Sequence, residues 1–397
     1  MSRGTDIWRL PGPGSYVDDI ARSVTGGQHV AAVLPRYLAA DPERGDALVV
    51  AILDRLPHGQ RVQPWPTDGR LVAAVARQVI FEQDPPVTVP ELIRHPDVVG
   101  MTFVCLVDDL EVPHREEMGA FLRRLEAESR SVPAGERCTF VVITERAWLP
   151  QFAGNEPADL TLANCWYWNR VARWDVAAHL AARLPGQAQV GILHEVQTET
   201  IIELARWDFD LAARLADTWS GDSVDLASLV GSYELPGHAL PPGGRIGTRP
   251  PETVMDAWEA GAVDGWHQDV VLSPTCLLQE RARLNRHLWA GQARVLLPWI
   301  EITRERLEAR VRNALAEEGF RQALCDFAVG DFEPTAETVT EIGLLNKVVR
   351  ARIGKSAPNL RDAAAALHTA RNQLAHLRPI PQGRLEALVR VCDFLRT

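Results

Sequence analysis

"HVAAVLP", residues 29–35, decides the fold. From Val30 to Leu34 it offers no polar position to water. A strand with one wet face alternates apolar and polar residues, so an unbroken run of this length predicts a strand buried on both faces. Such strands belong to parallel sheets whose two faces are covered by helices. Two more runs match it, "MTFVCLVDD" at 101–109 and "CTFVVIT" at 138–144. Between them Met118, Phe121, Leu122 and Leu125 repeat at helical spacing. "DLTLANCWYW" at 159–168 predicts a fourth strand, and its aromatics read as core packing rather than a ligand platform. Upstream, "DIWRL" at 6–10 reads as a short strand, followed by the turn "PGPG". Ser15 then opens a helix, with Asp18 completing a capping box and Val17, Ile20, Ala21 and Val24 on one stripe. Gly26 and Gly27 end that helix.

From about 173 to 234 the period turns helical. "LPGHALPPGGRIGTRPP" at 235–251 then holds five prolines and four glycines and propagates neither helix nor central strand. Beyond it the pattern is helical throughout, in segments near 273–291, 293–318, 335–353, 358–377 and 382–395. The fold class expected is α/β plus all-α. Residues 1–235 form a parallel-sheet domain with a helical extension, 236–251 a linker, and 252–397 a helical bundle.

A chain of 397 residues exceeds one ordinary core. Nothing in the sequence approaches eighteen consecutive apolar residues, and "MSRGTDIWRLPGPG" lacks the apolar centre of a secretory leader. The expectation is a cytoplasmic protein without a membrane partner. Cys105, Cys138, Cys165, Cys276, Cys325 and Cys392 are scattered, with no metal-ligand spacing, and read as reduced thiols. No cofactor is expected. The net charge of −10 hides an asymmetry: residues 273–397 hold 19 Lys and Arg against 14 Asp and Glu, the remainder 23 against 38. The basic end suits an anionic partner.

The chemistry sits near that end, in "RNQLAHLRPI" at 371–380. Around Leu374 a helical wheel gathers Leu360, Ala363, Leu367, Ala370 and Leu377 into a core stripe. Asn372 and His376, four residues apart, fall on the opposite face, and Arg371 lies on the flank. Pro379 stops the helix near Leu377. This set suits cleavage of RNA. Histidine takes a proton from the 2′-hydroxyl or gives one to the leaving 5′-oxygen, arginine stabilises the charged phosphorane, and asparagine orients. One copy offers a single histidine in this set, so a symmetric dimer pairing the two faces is expected. His368, one turn before Asn372 on a similar face, could assist the site but reads first as solvated surface, and Glu341 as a candidate ion-pair partner for the motif.

"LRDAAAALHTARNQLAHLRPI" resembles the signature of the HEPN superfamily, an arginine and a polar residue followed by a histidine, and its setting before a short final helix is most similar to the Swt-type branch. The resemblance spans about residues 275–397. It implies a metal-independent endoribonuclease with Arg371, Asn372 and His376 catalytic, a homodimer with a composite site, and a role as a toxin or antiphage effector. The N-terminal layout resembles a STAND-type P-loop NTPase, with "FVCLVDDL" and its Asp108 and Asp109 in the place of the magnesium-binding strand. Its turn "LPGPGSYVDD" has no lysine and two prolines where phosphate-cradling amides are needed, so the resemblance implies an inactive scaffold. Such a scaffold is expected to sense, or to dock an operon-encoded regulatory protein. Two other readings compete: a non-catalytic HEPN adaptor that dimerises or binds a partner, and a working ATPase, which the missing lysine disfavours.

Overall fold

The computed structural model describes residues 6–62, 71–80, 88–107, 112–146, 161–183, 191–222, 225–226, 229, 246–277, 281–327 and 340–396. The apolar runs form a five-stranded parallel sheet: β1 (His29–Leu34), β2 (Gly59–Arg61), β3 (Thr102–Leu106), β4 (Thr139–Glu145) and β5 (Leu162–Trp166). The order is β2-β3-β4-β1-β5, with Val30 opposite both Val141 and Ala163, and Thr102 opposite both Gly59 and Thr139. The three expected central runs and the fourth at 159–168 all become strands.

Helices cover both faces. On one lie α1 (Pro11–Thr25) and α3 (Pro42–Leu53), joined through α2 (Arg36–Ala39). On the other, α4 (Leu71–Val79), α5 (Val89–Arg94) and α6 (Val112–Ser129) bury Val75, Leu92, Phe121 and Leu125 against Phe103, Cys105, Phe140 and Val142. His29 ties strand to helix inside this layer. Its Nδ1 accepts the Phe140 N–H at 3.2 Å and its Nε2 lies 2.7 Å from Ser129 Oγ, which makes Nε2 the protonated nitrogen. Burial, with a smaller push from Arg137, lowers the His29 pKa to about 3.

The start of the chain corrects the sequence reading. Residues 7–9 are a 3-10 turn, not a strand, and α1 begins at Pro11. "PGPG" is the first helical turn, where proline forfeits no hydrogen bond. The Ser15–Asp18 capping box does not form; Ser15 Oγ donates to Gly12 O at 2.6 Å.

The division of the chain also differs. Two compact units emerge, residues 1–179 with 235–276 and residues 180–234 with 277–397. The chain changes unit after 179, 234 and 276, so the expected 1–235 domain is itself divided, and the last change comes after 276 rather than at 252. Residues 252–276 open no bundle: they form α10 (Met255–Glu259) and the hairpin β6 (Val263–Trp266) and β7 (Asp269–Leu272), within the sheet unit. Of the linker, 236–245 lie outside the described residues, and 246–251 carry no helix or strand. Between the sheet and this hairpin, α7 (Arg173–Arg183) leads out of the sheet unit.

The second unit is helical, as expected of its C-terminal part. It contains α8 (Ile192–Ala205), α9 (Phe209–Thr218), α11 (Arg281–Leu315), α12 (Glu317–Phe327), α13 (Ile342–Arg352), α14 (Pro358–Ala375) and α15 (Gln382–Cys392). The break expected near 292 is absent, and α11 runs unbroken through it. Ile192 and Val196 of α8 share one core with Leu296, Ile300, Leu345, Leu367, Leu374 and Leu388. The α8–α11 crossing is closest at Gly291, where a Cβ would sit 2.5 Å from Thr200 Cα.

Candidate active site on the late helix of the helical unit

Leu360, Ala363, Leu367, Ala370 and Leu374 are buried along one side of α14. This holds Arg371, Asn372 and His368 toward the opposite side. Leu377, expected on the buried stripe, is 52% exposed. The helix stops two residues short of its pattern. His376 is the C-cap, and Leu377 takes a left-handed φ of 57°. Arg378 N–H then reaches Gln373 O at 3.0 Å and Leu377 N–H reaches Leu374 O at 3.1 Å, the paired bonds of a Schellman turn. The reversal swings Leu377 outward.

Two side chains of α11 fasten this end. Trp289 Nε1 donates to Leu374 O at 2.7 Å. The Gln292 carboxamide brackets Ile380, accepting its N–H at 2.7 Å and donating to its carbonyl at 2.9 Å. Sequence reasoning missed both, because each lies some ninety residues away on another helix.

A pocket of about 280 Å³ opens beside α14. Its walls include Arg371, Asn372 and His368 from α14, Glu341 and Gly343 at the start of α13, and Glu301 and Arg304 from α11. Arg304 is committed: its side chain is 4% exposed, 2.9 Å from both Glu301 and Glu308, and donates to Thr340 O at 3.3 Å. Arg371, by contrast, has no carboxylate partner among the described residues, and Glu341 stands in the same pocket without pairing to it. The ion pair suggested for Glu341 and the motif does not form.

Arg371 and Asn372 thus come together as expected. His376 is exposed on the next turn and does not line the pocket. The histidine that does line it is His368, which the sequence reading assigned to solvent. Its Nε2 lies 3.0 Å from the Asn372 amide, and its Nδ1 lies 3.3 Å from that of Asn346 on α13. The signal available was spacing, since 368, 372 and 376 stand at successive fours on one helix face. In sequence the segment around the set is basic, residues 341–397 holding ten Lys and Arg against four Asp and Glu, while the pocket wall itself sets Arg304 and Arg371 against Glu301 and Glu341.

In the sheet unit the start of α1 is taken up by the chain's own groups. The Gly12 N–H, a donor that a phosphate at the start of α1 would need, is held by Asp175 at 2.8 Å. A Cβ at residue 12 would lie 1.9 Å from Arg170 O, so glycine serves close packing there. Just past the carboxyl end of β5, Trp258 Nε1 donates to Tyr167 O and Asp264 Oδ1 accepts the Asn169 N–H at 2.8 Å. Just past β4, Arg146 pairs with Glu252 and Asp256. Residues 252–264 of the same chain thus pack beyond the carboxyl ends of β4 and β5, on the sheet edge where open α/β sheets bind ligands. Asp108 and Asp109 lie outside the described residues. Asp264 is wholly buried, and burial pushes its pKa up to about 7 against the pull of two backbone N–H groups.

The chain matches no family model, no curated protein and no solved structure. Among the described residues there is no group of histidine, cysteine and carboxylate side chains able to hold a metal ion, and no helix long and apolar enough to cross a membrane.

Proposed function

We propose that the helical unit is a metal-independent endoribonuclease of HEPN type, acting as a two-fold dimer in a bacterial toxin or antiphage system. The observation that carries the reading is Arg371: a guanidinium without a carboxylate partner among the described residues, beside Asn372 and followed by the exposed His376. A histidine takes the proton of the 2′-hydroxyl as O2′ bonds to phosphorus. The P–O5′ bond breaks, and a histidine returns a proton to O5′. Arg371 holds the negative charge of the phosphorane in between. In this reading His376 from each copy supplies the proton transfers. The sheet unit is an inactive STAND-like scaffold on which an operon-encoded regulator docks.

A second reading has its own support. Glu301 and Glu341 share the pocket with Arg371 and repel a phosphate placed deep inside it. That favours a non-catalytic adaptor receiving a cationic partner.

The test is incubation of full-length protein with total RNA in EDTA. Wild type is expected to leave 2′,3′-cyclic phosphate ends. Arg371→Ala is expected to slow cleavage about a hundredfold, from loss of charge stabilisation, and His376→Ala about 10²- to 10⁴-fold, from loss of proton transfer. Intact RNA with wild type, or undiminished cleavage by His376→Ala, gives the adaptor the stronger case.

A further inference from the structure

His368 stands between two carboxamides, and its hydrogen bonds constrain each other. As placed, both amide nitrogens face the ring, Asn372 Nδ2 at 3.0 Å from Nε2 and Asn346 Nδ2 at 3.3 Å from Nδ1. A neutral imidazole has one N–H and one lone pair, so it cannot accept from both. One carboxamide must present its oxygen instead.

The surroundings decide which one turns. Asn346 is 8% exposed, and its Oδ1 is buried with no partner. Turning it would put the NH₂ in that place, trading one orphan acceptor for an orphan donor pair, which is the rarer and costlier condition. Asn372 is half-buried at the pocket wall, where either end of its amide meets solvent or ligand. Asn346 therefore keeps its NH₂ on Nδ1. The ring carries its proton on Nε2, and Nε2–H donates to Asn372 Oδ1. The Asn372 NH₂ is left facing the pocket that Arg371 also lines.

We propose that His368 is a positioning residue: through the relay Asn346–His368–Asn372 it turns the Asn372 NH₂ into the pocket, where with the Arg371 guanidinium it forms a donor clamp for a phosphodiester. The clamp rests on the ribonuclease reading. The relay itself does not, and the two fail separately. Without His368 the Asn372 amide rotates freely and presents oxygen to the phosphate about as often as NH₂.

The experiment has two arms on the full-length protein. In the first, ¹⁵N spectra of histidine-labelled wild type, with His368→Gln to assign the ring, read the tautomer. Protonated Nε2 and bare Nδ1 are expected; a ring protonated on Nδ1 alone overturns the relay. In the second, kinetics on a short RNA in EDTA compare variants. His368→Ala is expected to lower kcat/KM about tenfold, chiefly through KM, as for loss of one hydrogen bond to a charged group. His368→Gln, whose own NH₂ reaches the same oxygen, is expected to keep most activity. His368→Ala added to Asn372→Ala is expected to lose nothing further. Additive losses, or a glutamine as damaging as alanine, overturn the proposal. Should wild type cut no RNA, the ribonuclease reading falls, and a 2′-deoxy oligonucleotide takes the place of substrate. Tighter binding by wild type than by His368→Ala then supports the clamp, and equal or absent binding overturns it.

Discussion

Two of the buried titratable groups of the sheet unit, His29 and Asp264, oppose one another, and removing one should expose the other. His29 titrates near 6.5 when unfolded and near about 3 in the fold. Between those values the unfolded chain holds a proton that the folded chain lacks, so this group makes stability rise with pH by about 1.4 kcal/mol per unit. Asp264 titrates near 3.8 when unfolded and near about 7 in the fold. There the folded chain holds the extra proton, so stability falls with pH at the same slope. Over pH 4.5–6.5 both slopes act and nearly cancel. Asp264→Asn keeps an oxygen for the Asn169 and Gly265 amides but cannot ionise. Its stability relative to wild type should therefore rise by roughly 2 kcal/mol from pH 4.5 to 6.5. His29→Gln should fall against wild type by a similar amount. The measurement is urea denaturation followed by tryptophan fluorescence at half-unit steps of pH. Differences from wild type cancel the exposed carboxylates common to all three proteins. Variant and wild-type curves that run parallel in pH would refute the reasoning, whatever their offset.

Gly291→Ala drives a methyl into the Thr200 backbone and should destabilise the helical unit by about 2 kcal/mol or more, read as a lowered melting midpoint. Leu377→Gly relieves a left-handed leucine that is already exposed and should stabilise by about 1 kcal/mol in the same assay. Gln292→Leu strips two backbone groups of Ile380 of their partners, at a loss of about 2–4 kcal/mol, and should raise amide exchange around 377–381 before it affects α13. Arg371→Ala and His376→Ala remove exposed side chains and should melt like wild type in circular dichroism, whatever happens to cleavage.

The central strands were legible because continuous apolar runs have few other uses. β2 was not, since "GQR" is short, polar and at the sheet edge. The hairpin hid for a different reason. Its reversal puts positive φ on His267 and Gln268, positions that usually carry asparagine or glycine, so no turn signal marked it. At the N-terminus two prolines read as a turn although they open a helix. On α14 the buried stripe was correct through Leu374 and failed at Leu377, because the helix ends in a left-handed residue that is not glycine. Arg371 and Asn372 were placed by periodicity alone. Assigning His368 needed Asn346, a partner on another helix that no local pattern announces.

The chain passes twice through each unit, and this constrains how the protein can be made and recombined. During synthesis α8 emerges early, yet the helix it packs against, α11, begins only at residue 281. The sheet unit likewise waits for its hairpin until residue 272 has been made, after α8 and α9 are already out. Neither half can finish folding behind the ribosome before the other has begun. A cut at the proline-rich stretch near 251, where the sequence invites division of the chain, parts α8 from α11 and takes Asp264 away from Asn169. Exchange of the helical unit between relatives by a single crossover at that stretch yields two incomplete cores. A working chimera must carry residues 180–234 and 277–397 together.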